Sequence, residues 1–179
     1  EWKELTDIGI KPLGSDNAAR AADYLLASLK QSCSNAGKHS YPLTTWQYED
    51  SLLSAEGRVV KAYLFLGSGR SERFEGTVVW AGYHDLWGMY RWKRYKVIDE
   101  HGVICAYITV RSGGEAIPQM LFAAGDLPHF IVGQSDDARM ERLAKEGRRI
   151  EGYAKVSEKK DSLLRNVIGS IGEGRKIVI

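Results

Sequence analysis

The chain contains little cysteine, little proline and no long apolar run. Its 179 residues include two cysteines and four prolines. Because Cys33 and Cys105 are too few for a disulfide scaffold and lack metal-ligand spacing, they favour a reducing compartment, although the sequence leaves a single bridge between them open. No apolar segment approaches the roughly 20 residues needed to cross a bilayer. These shortages argue against a disulfide-built secreted domain and a membrane-spanning helix, and no membrane partner is expected.

The chain also has little excess of one sign of charge, because its formal net charge is only +2. Whole-molecule electrostatics therefore point neither toward nor away from a polyanionic partner, and local clusters of charge must decide. The first four residues are mostly charged, which is unlike a signal peptide, so we expect an intracellular, cytoplasmic protein. The first residue is Glu1 rather than methionine, which suggests a piece of a longer polypeptide.

Residues 74–110 hold three of the five tryptophans and have the composition of β-strands. β-Branched and aromatic residues dominate residues 77–80, 90–98 and 103–110, with breaks at Gly82, at Gly88 and at the Asp-Glu-His-Gly sequence of residues 99–102. This pattern predicts a meander of three strands. The third strand is apolar on both faces, so we expect it to be a central strand.

The second strand of this meander carries basic residues among its aromatics. Side chains alternate across a strand, so if Tyr95 and Val97 face the core, then Trp92, Arg94 and Lys96 share the outward face. A flat aromatic ring between two cations suits a stacked nucleobase beside its phosphates. The alternative is that Trp92 packs under a loop while the cations form a solvated edge.

The segments on either side predict an N-terminal helical region, residues 1–57, and a β-barrel domain, residues 58–179. A helix capped by Ser15 or Asp16 runs to about Ser34 and carries Cys33 on its apolar stripe, where the thiol is a small buried hydrophobe. A second short helix is predicted for residues 46–55. The later segments predict strands at 58–66, 128–132 and 148–157, a helix capped by Ser135 at 136–146, and either helix or strand at 163–171.

The order of these elements resembles the oligonucleotide-binding (OB) fold over about residues 74–160. The Gly-Thr-Val strand of residues 76–79, the basic-aromatic strand, the apolar third strand, the helix at 136–146 and the strand at 150–156 carry the resemblance. It implies an α+β, mainly β fold, a small antiparallel Greek-key barrel with the N-terminal helix packed on it. In this family nucleic acid crosses the face of strands two and three.

The resemblance also implies a function, the non-catalytic binding of single-stranded nucleic acid, DNA or RNA. Aromatic rings serve as stacking platforms and cations neutralise phosphates. The implied binding residues are Tyr83, Trp87, Tyr90, Arg91, Trp92, Lys93, Arg94, Lys96 and Arg111. Trp80 and Tyr95 are further candidate platforms, but Trp80 is in phase with Val78 and is expected to lie in the core.

Enzymatic alternatives find little support in the sequence. The four histidines are scattered, and Cys105 lies in the middle of a strand, where a nucleophile is poorly exposed. His84 and the cluster at residues 99–101 fall at opposite ends of the predicted meander, so no metal site is expected. We therefore expect no catalytic residue, no metal and no cofactor. The remaining alternative is a protein-interaction module, such as an inhibitor, an immunity protein or an assembly subunit, which uses the same aromatic surface.

Overall fold

The computed structural model describes residues 2–9, 11, 13–86, 88–117 and 125–172. Within these ranges the helices are α1 (Trp2–Asp7), α2 (Asp16–Ser32) and α3 (Asp137–Lys145), the last preceded by a 3-10 turn at Gln134–Asp136. The strands are β1 (Asn35–Ala55), β2 (Arg58–Val59), β3 (Ala62–Leu64), β4 (Ser71–Leu86), β5 (Tyr90–Ile98), β6 (Ile104–Val110), β7 (His129–Val132) and β8 (Arg149–Ser170). The predicted α+β, mainly β class is confirmed.

The strands pair in the order β2-β1-β8-β4-β5-β6-β7-β3. The meander β4-β5-β6 is antiparallel, whereas β7 pairs with β6 in parallel. The predicted central position of β6 is confirmed, because it lies between β5 and β7. The turn before β6 is also as predicted, since the Asp99 carboxylate accepts the backbone N–H of Val103 at 2.8 Å and Gly102 adopts a φ of 81°.

The chain divides into two compact units. Unit 1 consists of residues 1–45 and 158–179, and unit 2 of residues 46–157, so β1 and β8 each contribute to both. In unit 1 the predicted cap of α2 is confirmed, because the Ser15 hydroxyl accepts the backbone N–H of Ala18 at 3.1 Å. Cys33 follows the last turn of α2, and Gly169 lies so close that an added Cβ would stand 2.7 Å from its sulfur. Both thiols are free, so no bridge joins the two cysteines.

The core of unit 2 lies between the meander and α3. Tyr95, Val97 and Ile108 of the strands and Met140 and Leu143 of the helix have at most 1% of their surface exposed. The phase predicted for Tyr95 and Val97 is therefore confirmed. Truncating Leu143 or Met140 to alanine removes fully buried methylenes and should cost about 2 to 5 kcal/mol of stability.

The second predicted helix, residues 46–55, is wrong, because these residues belong to β1. The reason lies in the turn that follows. Glu56 and Gly57 both have positive φ, 53° and 72°, and Ala55 pairs with Arg58 and Ser54 with Val59. Two successive residues of positive φ make the turn of a tight β-hairpin, so Gly57 does not end a helix.

Three other predictions are corrected or settled. Trp80 is not in the core, since 45% of its surface is exposed. Ser135 lies inside the 3-10 turn and does not cap α3; the cap position belongs to Asp136, whose side chain makes no capping hydrogen bond. The segment at 163–171, for which the sequence predicts either helix or strand, is strand through Ser170. Among the residues the structure describes, no helix is long and apolar enough to span a membrane.

Candidate binding surface on the β4–β5 hairpin

One face of the β4–β5 hairpin carries two exposed aromatic rings. Trp80 lies opposite Tyr95 and Tyr83 opposite Lys93, with a bulge between the two pairs that allows both rings onto the same face. The rings of Trp80 and Tyr83 meet edge to face with centroids 5.3 Å apart. The guanidinium carbon of Arg91 stands 4.6 Å from the Tyr83 centroid. This arrangement, which we call the aromatic surface, consists of Trp80, Tyr83 and Arg91.

Beside the aromatic surface, Lys93 is held by two carboxylates of α3. Its Nζ lies 2.9 Å from Asp137 Oδ2 and 2.6 Å from Glu141 Oε1. The hydrogen bond to Asp137, followed by that to Glu141, raises the pKa of Lys93 above its ordinary value. The Lys93 ammonium therefore already binds two carboxylates of the protein, which occupy the group that was predicted to contact a nucleic-acid phosphate.

Tyr95 lies beneath the aromatic surface rather than on it. Only 1% of its surface is exposed, and its ring supports Trp80 edge to face at 5.4 Å. Burial raises the pKa of Tyr95 to about 12, against the opposing influence of the nearby Lys93 ammonium. The phenol therefore acts as a rigid support for Trp80 and is not a stacking platform itself.

The opposite face of the hairpin is covered, and this corrects the expectation of an exposed Trp92. Only 4% of the Trp92 surface is exposed, because the ring packs with Phe65, which follows β3, and Ile131 of β7. Phe65 in turn stacks on His129 with centroids 4.1 Å apart, and His84 lies 5.4 Å from His129. Trp92 is thus a core residue, as the packing alternative proposed, and does not offer a free stacking platform.

A guanidinium and two imidazoles lie together on this covered face. The guanidinium carbon of Arg94 is 5.6 Å from the ring centroid of Tyr107, and His129 Nε2 is 2.8 Å from Thr109 Oγ1. Burial, then His84 and then Arg94, lower the pKa of His129 to about 3. The pKa of His84 is lowered by burial and by Arg94, with Asp85 opposing. Both imidazoles are therefore neutral at neutral pH.

The remaining predicted binding residues are spread over different environments. Tyr90 is exposed near the hairpin turn, and Lys96 is half-buried on the covered face. Arg111 donates from Nη1 to the carbonyl of Glu115 at 2.7 Å. Trp87 lies outside the described residues. The eight predicted residues that the structure describes therefore do not form one continuous face.

Sequence reasoning missed two contributors to the exposed hairpin. The alternation along the strand places Trp80 in the core, and no sequence pattern singles out Met89, which has 68% of its surface exposed at the turn. A signal for Trp80 was available in Gly82, which has a φ of 86° and lies in the bulge that carries Tyr83 back to the face of Trp80. A glycine inside a strand pattern commonly marks such a bulge.

Comparison with known proteins shows a shared fold. No protein-family model matches the chain, and no curated protein matches it. Among solved structures, it is similar to the zinc aminopeptidase BSAP from Bacillus subtilis, with a TM-score of 0.58, 14% identity, and coverage of 92% of this chain and 44% of that one. It is also similar to the aminopeptidase from Aneurinibacillus sp. strain AM-1, with a TM-score of 0.60, 13% identity, and 94% and 46% coverage.

A third similar structure is the Peptidase M28 precursor from Shewanella amazonensis SB2B, with a TM-score of 0.62, 13% identity, and coverage of 93% of this chain and 48% of that chain. The chain thus spans less than half the length of each of these proteins. Because the identities are so low, the likeness is one of fold.

The zinc named for BSAP raises the question of whether the present residues fit a metal. Zinc sites need three or four histidine, cysteine or carboxylate ligands. Within the described ranges, no group of three or more such side chains converges. His84 and His129 are neighbours, but His129 Nε2 faces Thr109 Oγ1 at 2.8 Å. The described residues therefore do not fit a zinc site, and what the chain shares with part of each aminopeptidase is its fold.

Proposed function

We propose that this chain is a polypeptide-binding, non-catalytic part of a protein related to the zinc aminopeptidases. The observation that carries the proposal is the aromatic surface, in which Trp80 and Tyr83 of β4 are about half exposed and Arg91 of the paired strand β5 stacks on Tyr83. Tryptophan, tyrosine and arginine are the residues enriched at the energetic centres of protein interfaces. The support of Trp80 by buried Tyr95 keeps the ring in place before a partner arrives, which lowers the entropic cost of binding.

The charges around the aromatic surface support a polypeptide over a nucleic acid. Asp137 and Glu141 both bind Lys93, and Lys93 is the residue that pairs with Tyr83 across the hairpin. Two carboxylates against one ammonium and the Arg91 guanidinium leave this face close to neutral, so it offers little to a phosphate backbone, whose binding depends on uncompensated cations. A polypeptide partner needs no such excess of positive charge.

The comparisons are consistent with this choice of partner, since the similar proteins are named as aminopeptidases and a peptidase. The OB-type barrel, and the single-stranded nucleic-acid binding implied by it, stay predictions. Their candidates on the hairpin are Tyr83, Tyr90, Arg91, Arg94 and Lys96.

Fluorescence anisotropy titrations of the 179-residue chain test the proposal. The probes are a fluorescein-labelled, permanently unfolded polypeptide, reduced and carboxymethylated α-lactalbumin, and a labelled oligothymidine. We expect the polypeptide to bind, and Trp80→Ala to weaken it by about 2 kcal/mol, or roughly 30-fold, if Trp80 is a central interface residue. Tyr83→Ala should weaken it in the same direction.

Trp2→Ala is the matched control, because Trp2 is a tryptophan of unit 1 with 84% of its surface exposed. It should leave the affinity unchanged. Equal losses of affinity for the polypeptide in Trp2→Ala and Trp80→Ala would contradict the proposal. So would strong, salt-dependent binding of the oligothymidine without binding of the polypeptide, which would instead support the nucleic-acid prediction.

A further inference from the structure

Away from the aromatic surface, unit 2 contains a cleft of about 480 Å³ between the β1–β2 turn and α3. Its lining residues are Glu56 and Arg58 from the turn and Arg139 and Arg142 from the helix. Three guanidinium groups therefore surround a single carboxylate. A volume of this size is within the range of roughly 300 to 1,000 Å³ that ligand sites commonly have.

The cleft already holds one carboxylate by a two-pronged contact. Arg142 donates from Nη1 to Glu56 Oε1 at 2.9 Å and from Nη2 to Oε2 at 2.6 Å. The hydrogen bonds from Arg142 lower the pKa of Glu56, so the carboxylate is charged at neutral pH. This parallel geometry is the one that arginine and a carboxylate prefer. The contact between Arg142 and Glu56 therefore shows that an arginine lining the cleft can bind a carboxylate.

The other lining arginines differ in how much of their hydrogen-bonding capacity is used. Arg139 donates to the carbonyl of Ala55 at 2.7 Å and stands 3.8 Å from Asp136. Arg58 is exposed in β2 and makes no ion pair with any residue that the structure describes. The fork of Arg58 is therefore the part of the cleft that remains ready for an incoming anion.

The charge of the surroundings restricts the kind of anion. Arg142 also lies 3.4 Å from Glu146, which pairs with Arg148 at 3.0 Å. With these neighbours counted, four arginines (Arg58, Arg139, Arg142 and Arg148) face three carboxylates (Glu56, Asp136 and Glu146), which leaves one positive charge. A single net charge beside a fixed glutamate matches a monoanionic carboxylate better than a phosphate monoester carrying about −1.5 to −2 charges.

From this geometry we infer that the cleft is a binding site for an acidic side chain of a polypeptide partner, held by Arg58 with Arg139 and Arg142 behind it. The site is separate from the aromatic surface and does not depend on it. The fork of Arg58 holds the partner's carboxylate as the fork of Arg142 holds that of Glu56 now, and the cleft admits the side chain that carries it.

The test is a solution NMR titration that follows the Nε–Hε signals of the arginines in the 179-residue chain. The probe is the peptide Gly-Ser-Glu-Glu-Ser-Gly, and its isosteric counterpart is Gly-Ser-Gln-Gln-Ser-Gly. We expect the glutamate peptide to shift the Arg58 signal and the glutamine peptide to leave it in place. In Arg58→Ala, binding is measured from the signals of Arg139 and Arg142. The affinity for the glutamate peptide should fall by about fivefold, as expected for the loss of one exposed ion pair.

Arg70→Ala is the matched control, since Arg70 is an exposed arginine of unit 2 outside the cleft. It removes the same charge and should leave binding unchanged. Trp80→Ala should also leave it unchanged, which separates this site from the aromatic surface. Equal losses from Arg58→Ala and Arg70→Ala, equal shifts with both peptides, or tighter binding of inorganic phosphate than of the glutamate peptide would each overturn the inference.

Discussion

The thiol of Cys105 shows how one residue's environment decides its chemistry. It lies half-buried in β6 and donates from Sγ to the carbonyl of Val97 at 3.3 Å. Burial, and after it the nearby Asp99 carboxylate, raise the pKa of Cys105 above its ordinary value. Since the thiolate is the reactive form, the sequence-based expectation that Cys105 is not a nucleophile acquires a physical basis.

We predict that Cys105 reacts slowly with Ellman's reagent at neutral pH in the folded protein. The Cys33→Ala variant isolates this thiol, and its reaction should be at least about tenfold slower than that of the same variant in urea. The absorbance of the released thiolate measures both rates. A native rate equal to the rate in urea would contradict the prediction.

Two tryptophans mark the limit of what alternation along a strand can predict. The phase of Tyr95 and Val97 was correct, so Trp92 does face away from that core. Its burial depends on Ile131, which is placed by the parallel pairing of β6 with β7, and on Phe65, which is placed by the pairing of β3 with β7. Such pairing joins segments distant in sequence, so a local pattern carries no sign of it. Trp80 has the phase of Val78, but the core ends before it and leaves it exposed.

At the scale of elements, α3 is fastened to the sheet by both apolar and ionic contacts. Met140 and Leu143 of the helix are fully buried. Asp137 and Glu141 of the helix form ion pairs with Lys93 of β5. The helix was predicted within one residue of its observed end, because its acidic start and terminal glycine are local signals. The β1–β2 hairpin was missed because Gly57 serves helix ends and tight turns equally well.

We predict that Lys93→Met destabilises the protein by about 1 to 3 kcal/mol, as expected for the loss of charge-assisted hydrogen bonds. Without the ammonium, Asp137 and Glu141 are left beside each other with unpaired negative charge. Urea denaturation followed by tryptophan fluorescence measures the change. Lys96→Met is the control, because Lys96 lies three positions further along β5, on the other face of the strand, and is likewise half-buried. A loss as large as that of Lys93→Met would show that the carboxylate contacts are not the cause.

At the scale of the whole molecule, the sequence predicts the structural class but not which distant segments of the chain come together. A mainly β protein follows from the density of β-branched and aromatic residues. Unit 1, however, is built from both ends of the chain, residues 1–45 and 158–179. No local pattern shows that these ends belong together, because the union of distant segments depends on long-range contacts such as the 2.8 Å hydrogen bond between Thr45 and Ser162.

The buried, neutral histidine of β7 makes the stability of the fold depend on pH. His129 has only 4% of its surface exposed and a pKa of about 3, against an ordinary value of 6.5. The unfolded chain therefore binds more protons than the folded one between these two values, so stability is complete above about pH 6.5 and falls as the pH drops toward 3. His84, whose pKa is also lowered, adds to the effect in the same direction.

We predict that the free energy of unfolding falls by up to about 2 kcal/mol from His129 alone between about pH 7.5 and pH 5, since each unit of pH below 6.5 contributes about 1.4 kcal/mol. Urea denaturation at the two pH values measures this. His129→Gln should flatten the dependence even if it lowers stability at both values, whereas His101→Gln, at a histidine whose side chain is 78% exposed, should leave the slope as it is. A slope as steep in His129→Gln as in the unaltered protein would place the acid sensitivity in other groups, because a glutamine at this position takes up no proton in either state.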